Sequence, residues 1–326
     1  MKRRDLLLST LALSVPARHA GAQGAPRPTM RIGWLTGQGE PSLAPYVRAF
    51  RAALADLGAV EGRNLQIEFR YGDDLPDRVP AMAAELERLP VDLIVAQGAA
   101  VFDISKLGLK VPVVYVYSGD PVSAGLAESL ARPRGNMTGL TFMAVEFNGK
   151  RLELLGEIVP RLRRVAILAN PEHPGEPREH GNSEEIGRTL GLATPYFPAR
   201  NPAELDVVLA RIASDGSQAI SVFADGFAVQ NRRTIIDFAM RRRIPVISGW
   251  PVFAQSGALC SYGPKLTDSY RRLAYYVDRV LKGANPIDLP IEQPTTFEMV
   301  LNLKTAAALG LVIPPSVLLR ADTLIQ

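Results

Sequence analysis

The chain has 326 residues, of which 47% are hydrophobic and 21% charged, which is typical of a globular protein of about two domains. Its single cysteine, Cys260, excludes an internal disulfide framework and a cysteine-rich metal site. Three histidines leave little material for a histidine metal cluster. We therefore expect neither a metal nor another cofactor.

The formal charge of +4 is concentrated at the N-terminus. Four basic side chains and one acidic side chain lie in the first 22 residues, so the remaining 33 basic and 32 acidic side chains leave a charge of only +1. A nearly neutral mature chain disfavours binding to a phosphate backbone. We expect no nucleic-acid partner.

Residues 1–22 have the composition of an export signal. Basic residues are followed by an apolar run over 6–16, and Ala20-Gly21-Ala22 forms a small-x-small cleavage site. The apolar run is too short to span a bilayer, which needs about 20 helical residues, so we expect no stable membrane insertion. Arg3-Arg4 also resembles a twin-arginine signal, and both this route and the general secretory route stay open. The prediction is a free periplasmic protein.

The mature chain alternates short apolar runs with amphipathic stretches. Such runs, with little polar interruption, are typical of strands buried on both faces of a parallel sheet. We predict strands at 31–35, 65–69, 92–96, 111–117, 164–169, 219–224 and 244–248, and helices at 43–57, 78–89, 149–159, 203–214, 229–241 and 266–281. A Gly- and Pro-rich stretch over 119–139 separates two series of about equal size. The pattern indicates an α/β fold with two Rossmann-like, doubly wound parallel-sheet lobes.

Ligands of such sheets bind at the carboxyl ends of the strands, so the residues that follow each strand are the candidate site. Backbone amides there can hold a carboxylate, and Asp120 or Asp225 can hold an ammonium group. Trp250 and Tyr262 are candidates for stacking on a ligand, whereas Trp34, Tyr115 and Tyr117 are expected in the core. The predicted ligand-binding residues are Thr36, Gln97, Gly98, Gly119, Asp120, Asn170, Asp225, Gly226, Trp250 and Tyr262.

Long segments of the chain resemble the substrate-binding proteins of an ABC importer family. They are RAFRAALADLGAVEGRNLQIEFRY (48–71), GDPVSAGLAESLARPRGNMTGL (119–140), NGKRLELLGEIVPRLRRVAILANP (148–171), YGPKLTDSYRRLAYYVDRVLKG (262–283) and LPIEQPTTFEMVLNLKTAAALGLVIPP (289–315). Because their order and spacing also match, the resemblance covers almost the whole mature chain.

The resemblance implies a type I periplasmic-binding-protein fold whose two lobes are joined by a three-segment hinge. Lobe 1 is expected over 30–142 and 265–290, lobe 2 over 146–262 and 296–326, with the ligand between them. The resemblance also implies capture of a small molecule, with amino acids favoured, and delivery to a permease with a cytoplasmic ATPase. We expect a monomer. The chain departs from the family at Gln97-Gly98 and Asp225-Gly226, so its ligand specificity can differ.

Two other classes stay open at this point. A periplasmic protein of the same fold can report ligand binding to a membrane sensor, and an exported α/β enzyme would act on its ligand. The sequence lacks a G-x-S-x-G elbow and a Walker A loop, and the polar stretch 171–181 with His173 and His180 is predicted to be a solvated surface loop without the spacing of a metal site. We therefore predict a receptor without catalytic activity.

Overall fold

The computed structural model describes residues 29–73, 75–142, 146–173 and 175–326. The predicted export signal at 1–22 lies outside these ranges. Within them, no helix is long and apolar enough to cross a membrane.

The first lobe contains a five-stranded parallel sheet with the strand order β2-β1-β3-β4-β7. Its strands are β1 (Met30–Thr36), β2 (Leu65–Tyr71), β3 (Leu93–Gln97), β4 (Val113–Tyr117) and β7 (Met137–Thr141), and β5 (Ala127–Ser129) pairs with β6 (Arg132–Pro133) in a separate hairpin. The helices of this part of the chain are α1 (Glu40–Asp56), α2 (Val79–Arg88) and α3 (Ala100–Lys106), and a 3-10 helix covers Pro76–Arg78.

The second lobe contains a seven-stranded sheet with the order β14-β13-β12-β11-β10-β8-β9. Its strands are β8 (Val165–Ala169), β9 (Tyr196–Pro198), β10 (Ala219–Val222), β11 (Val246–Ser248), β12 (Cys260–Pro264), β13 (Phe297–Asn302) and β14 (Thr323–Ile325). Its helices are α4 (Glu146–Ile158), α5 (Glu176–Thr189), α6 (Pro202–Ser214), α7 (Gly226–Gln230), α8 (Arg232–Arg241), α9 (Pro251–Gln255), α11 (Leu303–Leu309) and α12 (Pro315–Leu318).

Helices cover both faces of each sheet. Successive residues of a strand point to opposite faces, so a strand of apolar residues presents apolar side chains on both, and each face is buried by helices. In β1, Trp34 packs into the core that α1 shares with the long helix α10 (Leu266–Leu281), whereas Leu35 packs on the other face with α2 and α3. Trp34 is fully buried against the ring of Phe50, at a centroid distance of 5.0 Å. The predicted α/β fold with doubly wound lobes is confirmed.

Three segments connect the two sheets. The chain passes from β7 to α4, returns from β12 through Lys265 into α10, and crosses again after α10 through a 3-10 helix (Pro286–Asp288) to β13. Since β13 re-enters the second sheet from the first lobe, it pairs antiparallel with β12. This antiparallel pair departs from the predicted purely parallel sheet.

The expectation of a solvated loop over 171–181 is wrong from Glu176 onward, whereas the described residues 171–173 and 175 lie in turns or a bend. α5 begins at Glu176, whose side chain is buried, and the His180 ring stacks on Tyr196 at a centroid distance of 4.1 Å. Gly175 adopts the left-handed conformation that lets the chain turn into this helix, and Pro177 suits its first turn.

Two glycines bring the ends of β11 and β12 unusually close together. A Cβ atom on Gly263 would lie 2.0 Å from the backbone oxygen of Gly249. Because that atom belongs to the backbone, no side-chain rotation relieves the clash. The close approach sets the shape of the second lobe at the carboxyl ends of its strands.

We expect Gly263→Ala to lower the free energy of unfolding by at least about 2 kcal/mol, since the new methyl group must push two strands apart. Gly156→Ala is the matched control. Gly156 is exposed in α4, and a Cβ atom added there would meet no other atom within 4 Å, so this change should raise stability by about 0.5–1 kcal/mol. Urea denaturation measures both, and equal stability of the two variants would contradict the close-packing argument.

Candidate ligand-binding site

A small cavity lies between the two lobes at the carboxyl ends of their strands. Ser118 and Phe142 follow β4 and β7 of the first lobe, whereas the other lining residues belong to the second lobe. The cavity is lined by Ser118, Phe142, Arg151, Glu179, Ala224, Trp250 and Pro264. This is the position at which doubly wound sheets bind their ligands.

Arg151 brings a buried positive charge to this cavity. It lies on α4, its Nε donates to the backbone oxygen of Tyr262 at 2.9 Å, and its Nη1 donates to Asn148 Oδ1 at 2.8 Å. A Cβ atom on Gly249 would lie 2.6 Å from Arg151 Nη2, so the guanidinium packs directly on the strand ends. Burial lowers the pKa of Arg151 to about 10, which leaves the side chain protonated at neutral pH.

Glu179 brings a carboxyl group to the same cavity from α5. Burial raises the pKa of Glu179 to about 7, although the nearby charge of Arg151 and a hydrogen bond from Asn148 act in the opposite direction. The negative charge of Asp225 adds to the rise. Glu179 therefore titrates near neutral pH and responds to any charge that enters the cavity.

An ion pair joins the lobes beside the cavity. Arg178 Nη1 of α5 donates to Asp120 Oδ2 at 2.6 Å, and the same carboxylate accepts hydrogen bonds from Ser123 Oγ and from the backbone amide of Val122. Burial alone would raise the pKa of Asp120, but these hydrogen bonds and the charge of Arg178 hold it below its ordinary value. Asp120 thus has a partner in the opposite lobe.

A second contact between the lobes involves His173. Its Nε2 lies 2.9 Å from Ser118 Oγ, and its ring tilts against Tyr117 at a centroid distance of 5.9 Å. Burial lowers the pKa of His173, with the charge of Asp225 opposing the shift. The imidazole is therefore neutral at physiological pH while the lobes are in contact.

Asp225 and Asn170 hold the loops of the second lobe. Asp225 caps α7 through a 2.7 Å hydrogen bond from the amide of Ala228, and its other oxygen accepts from Asn170 Nδ2 at 2.9 Å. Asn170 in turn accepts from the amide of Glu172. Gly226 is the first residue of α7, where an added Cβ atom would meet no other atom within 4 Å.

The predicted residues of the first lobe also pair within the protein. The backbone oxygen of Thr36 accepts from the amide of Gly72, and Gln97 Nε2 donates to Gln38 at 3.0 Å. Gly98 has φ +62° and donates its amide to Val116, whereas the backbone oxygen of Gly119 accepts from Thr141 Oγ1 at 2.8 Å. None of these residues lines the cavity described above.

Trp250 is the one predicted residue that lines the cavity itself. It immediately precedes α9, in extended backbone, with its ring half-buried on the core of the second lobe. Tyr262 instead serves the site through its backbone oxygen, which accepts from Arg151, while its ring meets Phe147 edge to face.

Sequence reasoning missed Arg151, Glu179, His173 and Arg178 as residues of the cavity or of the lobe contacts. A signal for Arg151 was present, because it occupies the buried stripe of α4 together with Phe147, Leu154, Leu155 and Ile158. A charged residue in an apolar stripe needs a partner. The corresponding stripe of α5 includes the buried Glu176.

Two doubly wound lobes, three connecting segments and a charged cavity between the lobes define a two-lobed ligand-binding protein. The sequence matches the ABC transporter substrate binding protein family over residues 38–325. The chain belongs to this family, whose members bind a solute for a membrane transporter and are not enzymes.

Individual relatives agree with this assignment. The chain is 24% identical to a tyrosine-binding protein of Clostridioides difficile (strain R20291) over 291 residues, which cover 83% of this chain and 78% of the relative. A crystal structure of an ABC domain in complex with L-Trp from Streptococcus pneumonia superposes with a TM-score of 0.84 at 24% identity, covering 91% of this chain and all of the other. The ligand-free, open structure of a substrate-binding protein from Clostridium difficile gives a TM-score of 0.70 at 20% identity, covering 91% of this chain and all of the other.

We expect acid to weaken the lobe contact at His173. Its lowered pKa means that the contacting lobes bind fewer protons at this site than separated lobes, so closure is favoured above the ordinary histidine pKa of about 6.5 and disfavoured as pH falls below it. Small-angle X-ray scattering of ligand-free protein between pH 8 and pH 5 measures the effect as an increase in the radius of gyration.

Glu179 titrates in the same pH range, but its raised pKa means that acid favours lobe contact at that residue. The contribution of His173 is therefore measured as the difference between the pH profiles of the wild-type protein and His173→Gln. His180→Gln is the control, because His180 contacts Tyr196 and Glu184 within its own lobe. Identical pH profiles for the wild-type protein and His173→Gln would contradict this role for His173.

Proposed function

We propose that this protein is the receptor of an ABC importer that captures an amino acid, with aromatic amino acids favoured, between its lobes at the position of this cavity. The cavity has a volume of only about 10 Å³ while the lobes are in contact, so the lobes must separate to admit the ligand. The observation that carries the proposal is the position of the cavity, at the strand ends of both lobes, with the Trp250 ring beside charges of both signs. Two similar proteins are described by the tyrosine and the L-Trp that they bind, which supports the same chemical class of ligand.

The predicted site residues take different roles in this proposal. Trp250 stacks on the ligand. Asp120, Asn170 and Asp225 shape the loops around it through their hydrogen bonds, and Tyr262 positions Arg151. Thr36 and Gln97 end β1 and β3, Gly98 and Gly119 lie in the turns after β3 and β4, and Gly226 begins α7, so we assign these residues to the backbone at the strand ends.

A larger groove is lined by the end of β7 but by no other strand end, so it fits the ligand less well. It has a volume of about 720 Å³ and runs between α10 and residues 292–296. Three of its four charged side chains are in ion pairs, because Arg272 pairs with Glu292 at 2.7 Å and Asp268 with Lys265 at 3.4 Å. We assign the ligand to the cavity between the lobes because strand ends of both lobes meet there.

Binding by hinge closure follows from the same arrangement. Residues 30–142 and 265–290 form one moving lobe and residues 146–262 and 296–326 the other, and a ligand that touches both lobes stabilises the closed state. The protein acts as a monomer that hands its solute to a permease with a cytoplasmic ATPase. Substrate-binding proteins of ABC importers are extracytoplasmic; here we propose a periplasmic location after signal cleavage near Ala22.

The first test is calorimetry of residues 23–326, freed of bound solute by unfolding and refolding, against the amino acids. We expect L-tyrosine or L-tryptophan to bind with a dissociation constant in the micromolar range or below and to be recovered unchanged. A protein that binds sugars or nucleosides instead, or converts its ligand, would contradict the proposal.

The two tryptophans give a matched test of where the ligand binds. Trp34 is fully buried in the first lobe, whereas Trp250 lines the cavity. We expect L-tyrosine, with excitation at 295 nm, to change the fluorescence of Trp34→Phe, which retains Trp250, and to leave that of Trp250→Phe almost unchanged. A response carried only by Trp34 would argue against the cavity as the binding site.

A further inference from the structure

The cavity contains two opposite charges that lack an ion-pair partner. Among the described residues, no carboxylate oxygen lies within 4.0 Å of the Arg151 guanidinium, and no cationic nitrogen lies within that distance of the Glu179 carboxyl group. Arg151 is nevertheless only 5% exposed. The charges of Arg151 and Glu179 act on each other without a direct ion pair, and hydrogen bonds satisfy only part of each group. Burying charges that are only partly compensated is costly, so their presence points to a further group that compensates them.

The two aspartates near the cavity already have both carboxylate oxygens hydrogen-bonded within the protein. Asp120 is engaged by Arg178 and Ser123, and Asp225 by Ala228 and Asn170. These two aspartates are therefore poor anchors for an ammonium group, although their sequence positions suggested that role. Arg151 and Glu179 are the charged side chains that line the cavity itself.

Arg151 is also held in a fixed orientation. Its Nε and one Nη1 hydrogen are bound to Tyr262 and Asn148, and both acceptors belong to the second lobe. An arginine carries five N–H donors, so the bonds named above leave three, including both on Nη2. A planar guanidinium held in this way is suited to a carboxylate, which accepts two parallel hydrogen bonds.

We propose that Arg151 and Glu179 together form the head-group site of the ligand: the guanidinium binds a carboxylate, and the carboxyl group of Glu179 accepts a hydrogen bond from an ammonium group. The ligand class is then a zwitterion with its two charges on neighbouring carbon atoms, and Trp250 contacts the rest of the molecule. This inference rests on the proposed function, because it assumes that the ligand is an amino acid.

The proposal has a consequence for pH. The groups that act on Glu179 are Arg151 of α4, Asp225 before α7, the amide of Asn148 and Glu176 of its own helix. Glu179 is the acidic residue that lines the cavity, and its pKa is raised to about 7. An entering ammonium group favours the ionised carboxylate, so Glu179 releases a proton on binding. Affinity should rise with pH through about 7, and Glu179→Gln should remove this contribution.

The test compares L-tryptophan with tryptamine, which lacks the carboxylate, and with indole-3-propionate, which lacks the ammonium group. For the wild-type protein we expect each analogue to bind at least about tenfold more weakly than L-tryptophan, the range of a lost charge-assisted hydrogen bond. Arg151→Gln should weaken L-tryptophan by at least about tenfold and leave tryptamine nearly unchanged. Glu179→Gln should affect tryptamine and spare indole-3-propionate.

The control variant is Arg164→Gln, which removes an arginine of the same lobe that is paired with Asp215 at 2.9 Å. It should retain the wild-type preference for L-tryptophan over tryptamine. If Arg151→Gln does not fold, Arg151→Lys and the analogue series on the wild-type protein decide the question. Arg151→Lys should lose most of the discrimination, since an ammonium group cannot form the two parallel bonds.

The outcomes separate this inference from the proposed function. Binding of L-tryptophan with the same preference over tryptamine in a folded Arg151→Gln overturns the inference and leaves the amino-acid receptor intact. Equal affinities of the wild-type protein for L-tryptophan, tryptamine and indole-3-propionate also overturn the inference and leave the amino-acid receptor intact. A wild-type protein that binds no amino acid at all overturns the proposed function and the inference with it.

Discussion

The site of this protein depends on the cost of burying charge. Arg151 and Glu179 are carried into the space between the lobes by helices whose other buried residues are mostly apolar or small. A charge in such surroundings is tolerated only when an opposite charge or hydrogen bonds compensate it. Both carboxylate oxygens of Asp120 and of Asp225 accept hydrogen bonds within the protein, whereas hydrogen bonds satisfy Arg151 and Glu179 only in part. This difference separates the residues that build the loops from those left for a ligand.

The doubly wound sheets explain why these groups meet at all. Parallel strands end at the same edge of their sheet, and two such edges face each other across the cavity. Ser118 follows β4 in one lobe, and Trp250 follows β11 in the other. The contacts of Asp120 with Arg178 and of Ser118 with His173 bridge the same gap. Contacts within the protein and contacts to a ligand therefore act on one equilibrium, that of lobe closure.

The fold could be inferred from local pattern, but much of the site could not. Apolar runs such as VAILA (165–169) report burial on both faces, and this holds whatever the rest of the chain does. The stretch 171–181 misled the prediction because its polar residues resemble a solvated loop, yet α5 packs on α4 and presents Arg178 and Glu179 to the cleft. Strand-end position alone also did not separate Asp225, which caps a helix, from Trp250, which lines the cavity.

The sequence by itself determined the alternation of strands and helices, the division into two series and the family resemblance, because hydrophobic periodicity and turn residues are local properties. Only the tertiary structure decided which charges are paired. Arg151 is separated by 111 residues from the backbone oxygen of Tyr262 that orients it, and Arg178 by 58 residues from Asp120. Whether a buried charge has a partner depends on what lies within a few ångströms, and chain order does not report that distance.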